Sequence, residues 1–143
     1  MREAAKEYRQ SLALNPGSAE AHFNLGVVLA QLGREAEAMG HLKEALHLDP
    51  AKNYGHLVLG TLYARRMDYG SAKAELSRFL TLDPDNAEGH FALGMVHQKL
   101  GDRESAEREY RKAIALKSTH EAARFNLGVL LLQDSDLKGA LAE

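Results

Sequence analysis

Apolar residues along this chain cluster at intervals of three and four, and the clusters return every 34 residues. In one such unit, Phe23, Leu25, Val27, Val28 and Leu29 form a first stripe. Ala38, Leu42, Ala45, Leu46 and Leu48 form a second. Residues three and four apart share one face of a helix, so each stripe predicts an amphipathic helix with one buried side. Period-two alternation, the mark of a half-buried strand, is absent. The pattern predicts an all-α chain with helices near 2–14, 20–32, 35–48, 53–66, 69–82, 87–100, 103–116, 121–133 and 137–143.

Three independent series carry the same period. Prolines stand at Pro16, Pro50 and Pro84, each closing an Asn-Pro or Asp-Pro pair. Proline disfavours helical geometry in the residue before it, so these pairs end the second helix of each unit. A Leu-Gly phrase recurs at Leu25-Gly26, Leu59-Gly60, Leu93-Gly94 and Leu127-Gly128, and alanines at Ala4, Ala38, Ala72, Ala106 and Ala140. With proline at position 32, full repeats run over 19–52, 53–86 and 87–120. Residues 1–16 are the second helix of a partial repeat, and 121–143 are a further partial one, all within a single array over 1–143. Gly33 and Gly101 fall at the turn between paired helices, where a residue without Cβ adopts positive φ freely. Ser18 and Thr119 are the expected N-caps of two first helices. A glycine inside a helix costs about 1 kcal/mol relative to alanine. Gly26, Gly60, Gly94 and Gly128 therefore predict close approach of the paired helix, with Ala38, Ala72, Ala106 and Ala140 as the opposing small surface. A lone repeat cannot bury its stripe, so stability must come from stacking on neighbours.

At these residues the chain resembles the tetratricopeptide repeat family along its whole length. His22, Leu25, Gly26, Leu29, Ala38, Leu42, Ala45 and Pro50 follow the family pattern. So do His56, Leu59, Gly60, Tyr63, Ala72, Leu76 and Pro84, with Phe79 larger than the usual alanine. The next repeat matches at His90, Leu93, Gly94, Ala106, Tyr110 and Ala113 and departs at Ser118, where proline is expected. The resemblance implies a right-handed superhelical solenoid of antiparallel helix–turn–helix repeats, with first helices lining a concave wall. It also implies which first-helix residues face a protein or peptide partner there. These are Glu20, Phe23, Asn24 and Val27; Tyr54, Leu57, Thr61 and Arg65; Glu88, Phe91, Met95 and Lys99; and Phe125, Asn126 and Val129.

The floor of that groove is apolar, with charges at its edges, and suits an extended peptide or an amphipathic helix. The alternative is that Phe23, Leu57, Phe91 and Phe125 only fill space between neighbouring helices. Burying one such side chain is worth roughly 1.5–3 kcal/mol, so four supply about 6–12 kcal/mol gross. Association costs roughly 4–15 kcal/mol, which leaves weak-to-moderate affinity unless polar contacts add to it. The carboxylate clamp of some family members needs basic residues that are missing here, since every position 5 is Phe or Leu. The asparagine ladder of others is met by Asn24 and Asn126 and broken by Val58 and Ala92.

Composition removes other functions. The net charge of −2 offers no basic stripe for nucleic acid. No apolar run approaches the roughly 18 residues of a membrane span, and MREAAKEYRQ lacks the apolar core of a signal peptide. Localisation is left open, with cytoplasm as the default. The chain has no cysteine, hence no disulfide framework and no thiol nucleophile. His22, His56 and His90 repeat with the fold, which spaces them about 8–10 Å apart. One metal ion needs bonds of about 2 Å, so neither a metal site nor a cofactor is expected. No catalytic motif occurs, and no enzyme activity is expected. Two alternatives to a peptide-binding scaffold stand. One is self-association through the ragged terminal helices, giving a homo-oligomer. The other is a substrate-targeting module of a larger enzyme.

Overall fold

A computed structural model describes residues 1–142. It contains α1 (Arg2–Leu14), α2 (Ala19–Gln31), α3 (Glu35–Leu48), α4 (Tyr54–Arg65), α5 (Tyr69–Leu82), α6 (Ala87–Lys99), α7 (Arg103–Leu116) and α8 (Glu121–Ala142), with no strand among the described residues. Through Leu116 the helices expected from the pattern match these to within one residue at either end. The chain divides into two compact units, Met1–Leu82 with α1 to α5 and a second that begins at Asp83 with α6 to α8.

Local chemistry sets the helix ends. Ser18 Oγ accepts the Ala21 N–H (3.2 Å), Asn86 Oδ1 the Gly89 N–H (3.0 Å) and Asp102 Oδ1 the Ser105 N–H (3.1 Å). Each satisfies an amide that the first helical turn leaves without a partner. The hydrogen bonds from the Ser105 side chain and backbone hold the Asp102 carboxyl below its ordinary pKa. The cap expected at Thr119 lies one residue later. The helix starts at Glu121, so the cap position is His120, whose Nδ1 accepts the Ala123 N–H at 3.2 Å. Gly33 and Gly101 turn the chain at φ of 77° and 81°. The equivalent position between α4 and α5 is Met67 at φ 63°, a left-handed conformation that costs a side-chain-bearing residue roughly 1–2 kcal/mol.

The interior glycines are sockets. A Cβ on Gly26 would lie 2.7 Å from Leu42 Cγ, one on Gly60 2.6 Å from Leu76 Cγ, and one on Gly94 2.8 Å from the Tyr110 ring. In each pair the carbonyl of the opposing alanine (Ala38, Ala72 or Ala106) lies 3.2–3.4 Å from the same point. The core of the first unit gathers Leu25, Leu29, Ala38, Leu42, Leu59 and Leu62. That of the second gathers Ala106, Tyr110, Leu127 and Leu130.

The histidines at position 4 brace each hairpin. His56 Nδ1 meets Glu75 at 2.6 Å and His90 Nδ1 meets Glu109 at 2.5 Å. His90 Nε2 also bonds the Pro84 carbonyl, tying the first helix to the preceding junction. His22 repeats the link to the junction through Pro16, but its Nδ1 faces His41 Nδ1 at 3.0 Å. Burial, followed by the charges of His22 and Arg9, holds the His41 pKa below 6.5, and Glu37 opposes them.

The last element overturns one expectation. No turn separates a helix ending at 133 from another starting at 137, and α8 runs unbroken from Glu121 to Ala142. Residue 143 lies outside the described residues. Ser135 stands where Gly33 and Gly101 turn the earlier repeats, and it supplies no preference for positive φ. Asp134 and Lys138 form an i,i+4 ion pair at 2.8 Å that supports continued helix. The expected packing of Ala140 against Gly128 is therefore absent, and a Cβ on Gly128 would meet nothing within 4 Å.

Candidate functional site: the first-helix faces

In the first unit the face is built from α2 and α4. Phe23 is half-buried and meets Tyr54 edge-on, with ring centroids 6.4 Å apart; Tyr54 in turn stands edge-on to Phe79 at 6.3 Å. Tyr54 is 56% exposed, while Phe79 is buried. A cavity of about 360 Å³ opens beside Phe23 and Tyr54, walled by Asp49, Ala51, Lys52 and Asn53. Asn24 and Val27 are half-buried and Glu20 is exposed. Thr61 Oγ1 donates to the Leu57 carbonyl at 2.9 Å, the usual back-bond of a helical threonine. Arg65 reaches Glu35 at 2.8 Å and so lies against the start of α3. Leu57, expected on the groove floor, is only 6% exposed. It belongs to the core, because an apolar side chain that can be covered by its neighbours is covered.

In the second unit the face is built from α6 and α8. Phe91 is half-buried, with its ring 4.8 Å from His120 and 6.1 Å from Tyr110. Glu88 sits 3.3 Å from His120 Nε2. Met95 is 38% exposed and Phe125 72%, Val129 is half-buried, and Lys99 is exposed. Phe91 thus packs into the unit, whereas Phe125, at the same repeat position on α8, stays open.

Between α6 and α8 lies a cleft of about 470 Å³ that brings together Met95, Lys99 and Asn126 from the expected set. It adds Gln133, at the same repeat position as Arg65 and Lys99, and Gln98, one position earlier, both groove-facing in the family pattern, together with Arg103 and Leu130, which that pattern did not single out. Behind it stands Tyr110, fully buried. Its hydroxyl donates to Gln98 Oε1 at 2.6 Å and accepts from Asn126 Nδ2 at 3.4 Å. Burial raises the Tyr110 pKa against the opposing pull of Asn126, so the phenol keeps its proton at neutral pH. Arg103 donates to the Leu130 carbonyl at 2.8 Å and pins α7 to α8. The residues linking these helices are 12 to 27 positions apart, so no local motif announces their pairing. Among the described residues no group of three or more His, Asp or Glu side chains could hold a metal ion. No described helix is long and apolar enough to cross a membrane.

The glycine sockets at Gly26, Gly60 and Gly94, each with its opposing alanine, recur at one period of 34 residues. A tetratricopeptide repeat model matches residues 1–53 and 57–102, and a second model of the same description matches 87–120. The chain belongs to the tetratricopeptide repeat family. No curated protein matches its sequence. Among solved structures it is similar to MamA (23% identity, 92% of this chain and 77% of that one, TM-score 0.87). It is also similar to residues 41 to the end of MamA from Desulfovibrio magneticus RS-1 (20%, 99% and 80%, 0.89). A third is YrrB, a TPR protein with an unusual peptide-binding site (24%, 96% and 71%, 0.82). These likenesses establish an all-α helical repeat solenoid.

Proposed function

We propose that this chain is a protein-interaction scaffold that acts by holding a segment of a partner protein against its first-helix faces. The observation that carries the reading is the exposure of large apolar side chains on those faces, with Tyr54 in the first unit and Met95 and Phe125 in the second. Exposed apolar surface of this kind marks interaction sites when it is contiguous and rimmed by polar groups. Glu20, Asn24, Thr61, Lys99 and Asn126 supply such a rim. Peptide binding by proteins of like fold supports the reading. YrrB is described by its peptide-binding site, and the first TPR of Spaghetti (RPAP3), 18% identical with a TM-score of 0.76, is bound to an HSP90 peptide.

Phe23 and Phe91 are packed, so charging them would perturb the fold along with the surface. Tyr54→Glu and Phe125→Glu change exposed positions; because Tyr54 also touches Phe23 and Phe79, the melt of the double variant is compared with wild type before binding is read. Short random peptides selected by display on the wild-type chain test the reading. Selected peptides that bind with micromolar affinity and lose about tenfold or more with the double variant support it. A library that yields no binder, or binders indifferent to both substitutions, counts against it.

A second reading is self-association, favoured by α8. Leu132, Leu137 and Leu141 are exposed on it and the Gly128 socket is empty. Light scattering over a concentration range decides this; a strict monomer throughout removes it.

A further inference from the structure

The cleft between α6 and α8 has a chemistry that the rest of the first-helix surface lacks. Tyr110 uses up one end of each of two amides: Gln98 accepts from the phenol through Oε1 and Asn126 donates to it through Nδ2. What remains is the Gln98 Nε2 donor pair and the Asn126 Oδ1 acceptor, both on side chains that line the cleft. A peptide unit presents the complementary set, one carbonyl acceptor and one N–H donor. An extended segment is the form of chain whose peptide groups are unpaired and available to such a pair. Holding both amides from a single buried hydroxyl fixes their orientation before a ligand arrives, which reduces the ordering cost of binding.

Charge then narrows the ligand. The cleft is lined by Lys99 and Arg103 and by no carboxylate. Arg103 is engaged with the Leu130 carbonyl, while Lys99 is exposed and makes no ion pair among the described residues. Met95 and Leu130 add apolar wall. We propose that this cleft grips an extended segment of a partner protein in which a carboxylate side chain stands next to an apolar one. Gln98 and Asn126 hold a backbone peptide unit, Lys99 faces the carboxylate, and the apolar side chain lies along Met95 and Leu130. This rests on the scaffold reading above and specifies the class of segment it takes. Nothing comparable exists in the first unit, where Ala30, Leu42 and Val58 occupy the positions equivalent to Gln98, Tyr110 and Asn126.

The experiment starts from the strongest binder in the display selection and makes two versions of it, with each Asp or Glu changed to Gln or to Lys. These are titrated by fluorescence anisotropy into wild type, Lys99→Glu and Tyr110→Phe. Expected are an acid-rich binder, a loss of about fivefold on its change to Gln, and a Lys99→Glu variant that prefers the Lys version. Tyr110→Phe keeps the ring in the Gly94 socket and frees the two amides, so affinity should fall about tenfold for every version while the helical signal persists. Binding sensitive to Tyr54→Glu or Phe125→Glu but indifferent to peptide charge, Lys99→Glu and Tyr110→Phe overturns this inference and leaves the scaffold reading standing. Absence of any binder overturns both.

Discussion

The two units use one repeat to make two different surfaces. In α2 to α5 the sockets at Gly26 and Gly60 are filled by Leu42 and Leu76, and the exposed face rests on the Phe23, Tyr54 and Phe79 ring contacts. In α6 to α8 the same socket, at Gly94, takes Tyr110. A leucine ends inside the core, whereas a tyrosine carries a hydroxyl through it to the far side. Tyrosine for leucine at that position, with Gln98 and Asn126 where the first unit has Ala30 and Val58, turns a purely structural contact into a support for two amides. The braces differ as well. In the second unit His90 meets a carboxylate, and in the first hairpin His22 meets another histidine.

Substitutions at the glycine sockets should separate the repeats most sharply. Gly26→Ala and Gly94→Ala force a methyl group into contacts that are already closed, and each should lose about 1–3 kcal/mol in denaturant unfolding. Gly128→Ala meets open space in a helix and should gain about 1 kcal/mol. A loss at Gly128 comparable to that at Gly26 would show its socket to be filled in solution. The turn residues come next. Gly33→Ala should cost roughly 1–2 kcal/mol because its φ is positive, and Met67→Gly should recover up to about 1 kcal/mol by relieving the same conformation. Thermal melts of the two variants should move in opposite directions.

The smallest effect expected is the response to acid. The folded-state pKa of His41 lies below 6.5, so the unfolded chain takes up its proton first as pH falls. The first hairpin therefore loses stability below about pH 6.5, as the unfolded state binds more protons than the folded one. The groups facing His41 are His22 on α2, Arg9 on α1 and Glu37 on its own helix. Amide exchange followed from pH 7.5 to 5.5 should show protection in α2 and α3 falling. His41→Glu, which installs the pairing found at His56 and His90, should abolish the fall. Unchanged exchange in the wild type would remove the histidine contact as a source of acid sensitivity.

Features written in one or two residues could be read without coordinates. The Asp-Pro junctions, the glycines at 33 and 101 and the serine cap at 18 each fix a helix end through local geometry, and the observed ends follow them. Ser18 caps as expected, while His120 displaced Thr119 because any side chain with a lone pair at the cap position can serve. The straight course of α8 was hidden. Whether a chain turns at a residue such as Ser135 depends on what the following helix can bury, and the pattern alone records only that an alanine recurs at 140. The face residues were legible as positions but not as exposures, which is why Leu57 and Phe125, equivalent by period, end at 6% and 72%. Gln98, Tyr110 and Asn126 were each legible as repeat positions, but their meeting arises only through the packing of three helices.

The position of Tyr110 constrains how this protein can change over generations. Its ring is committed to the core and its hydroxyl to Gln98 and Asn126, so drift there is penalised twice. Gln98 and Lys99 carry no such double obligation. A lineage adapting to a new binding partner would be expected to alter those two and keep the tyrosine, so that affinity changes while the scaffold beneath it holds.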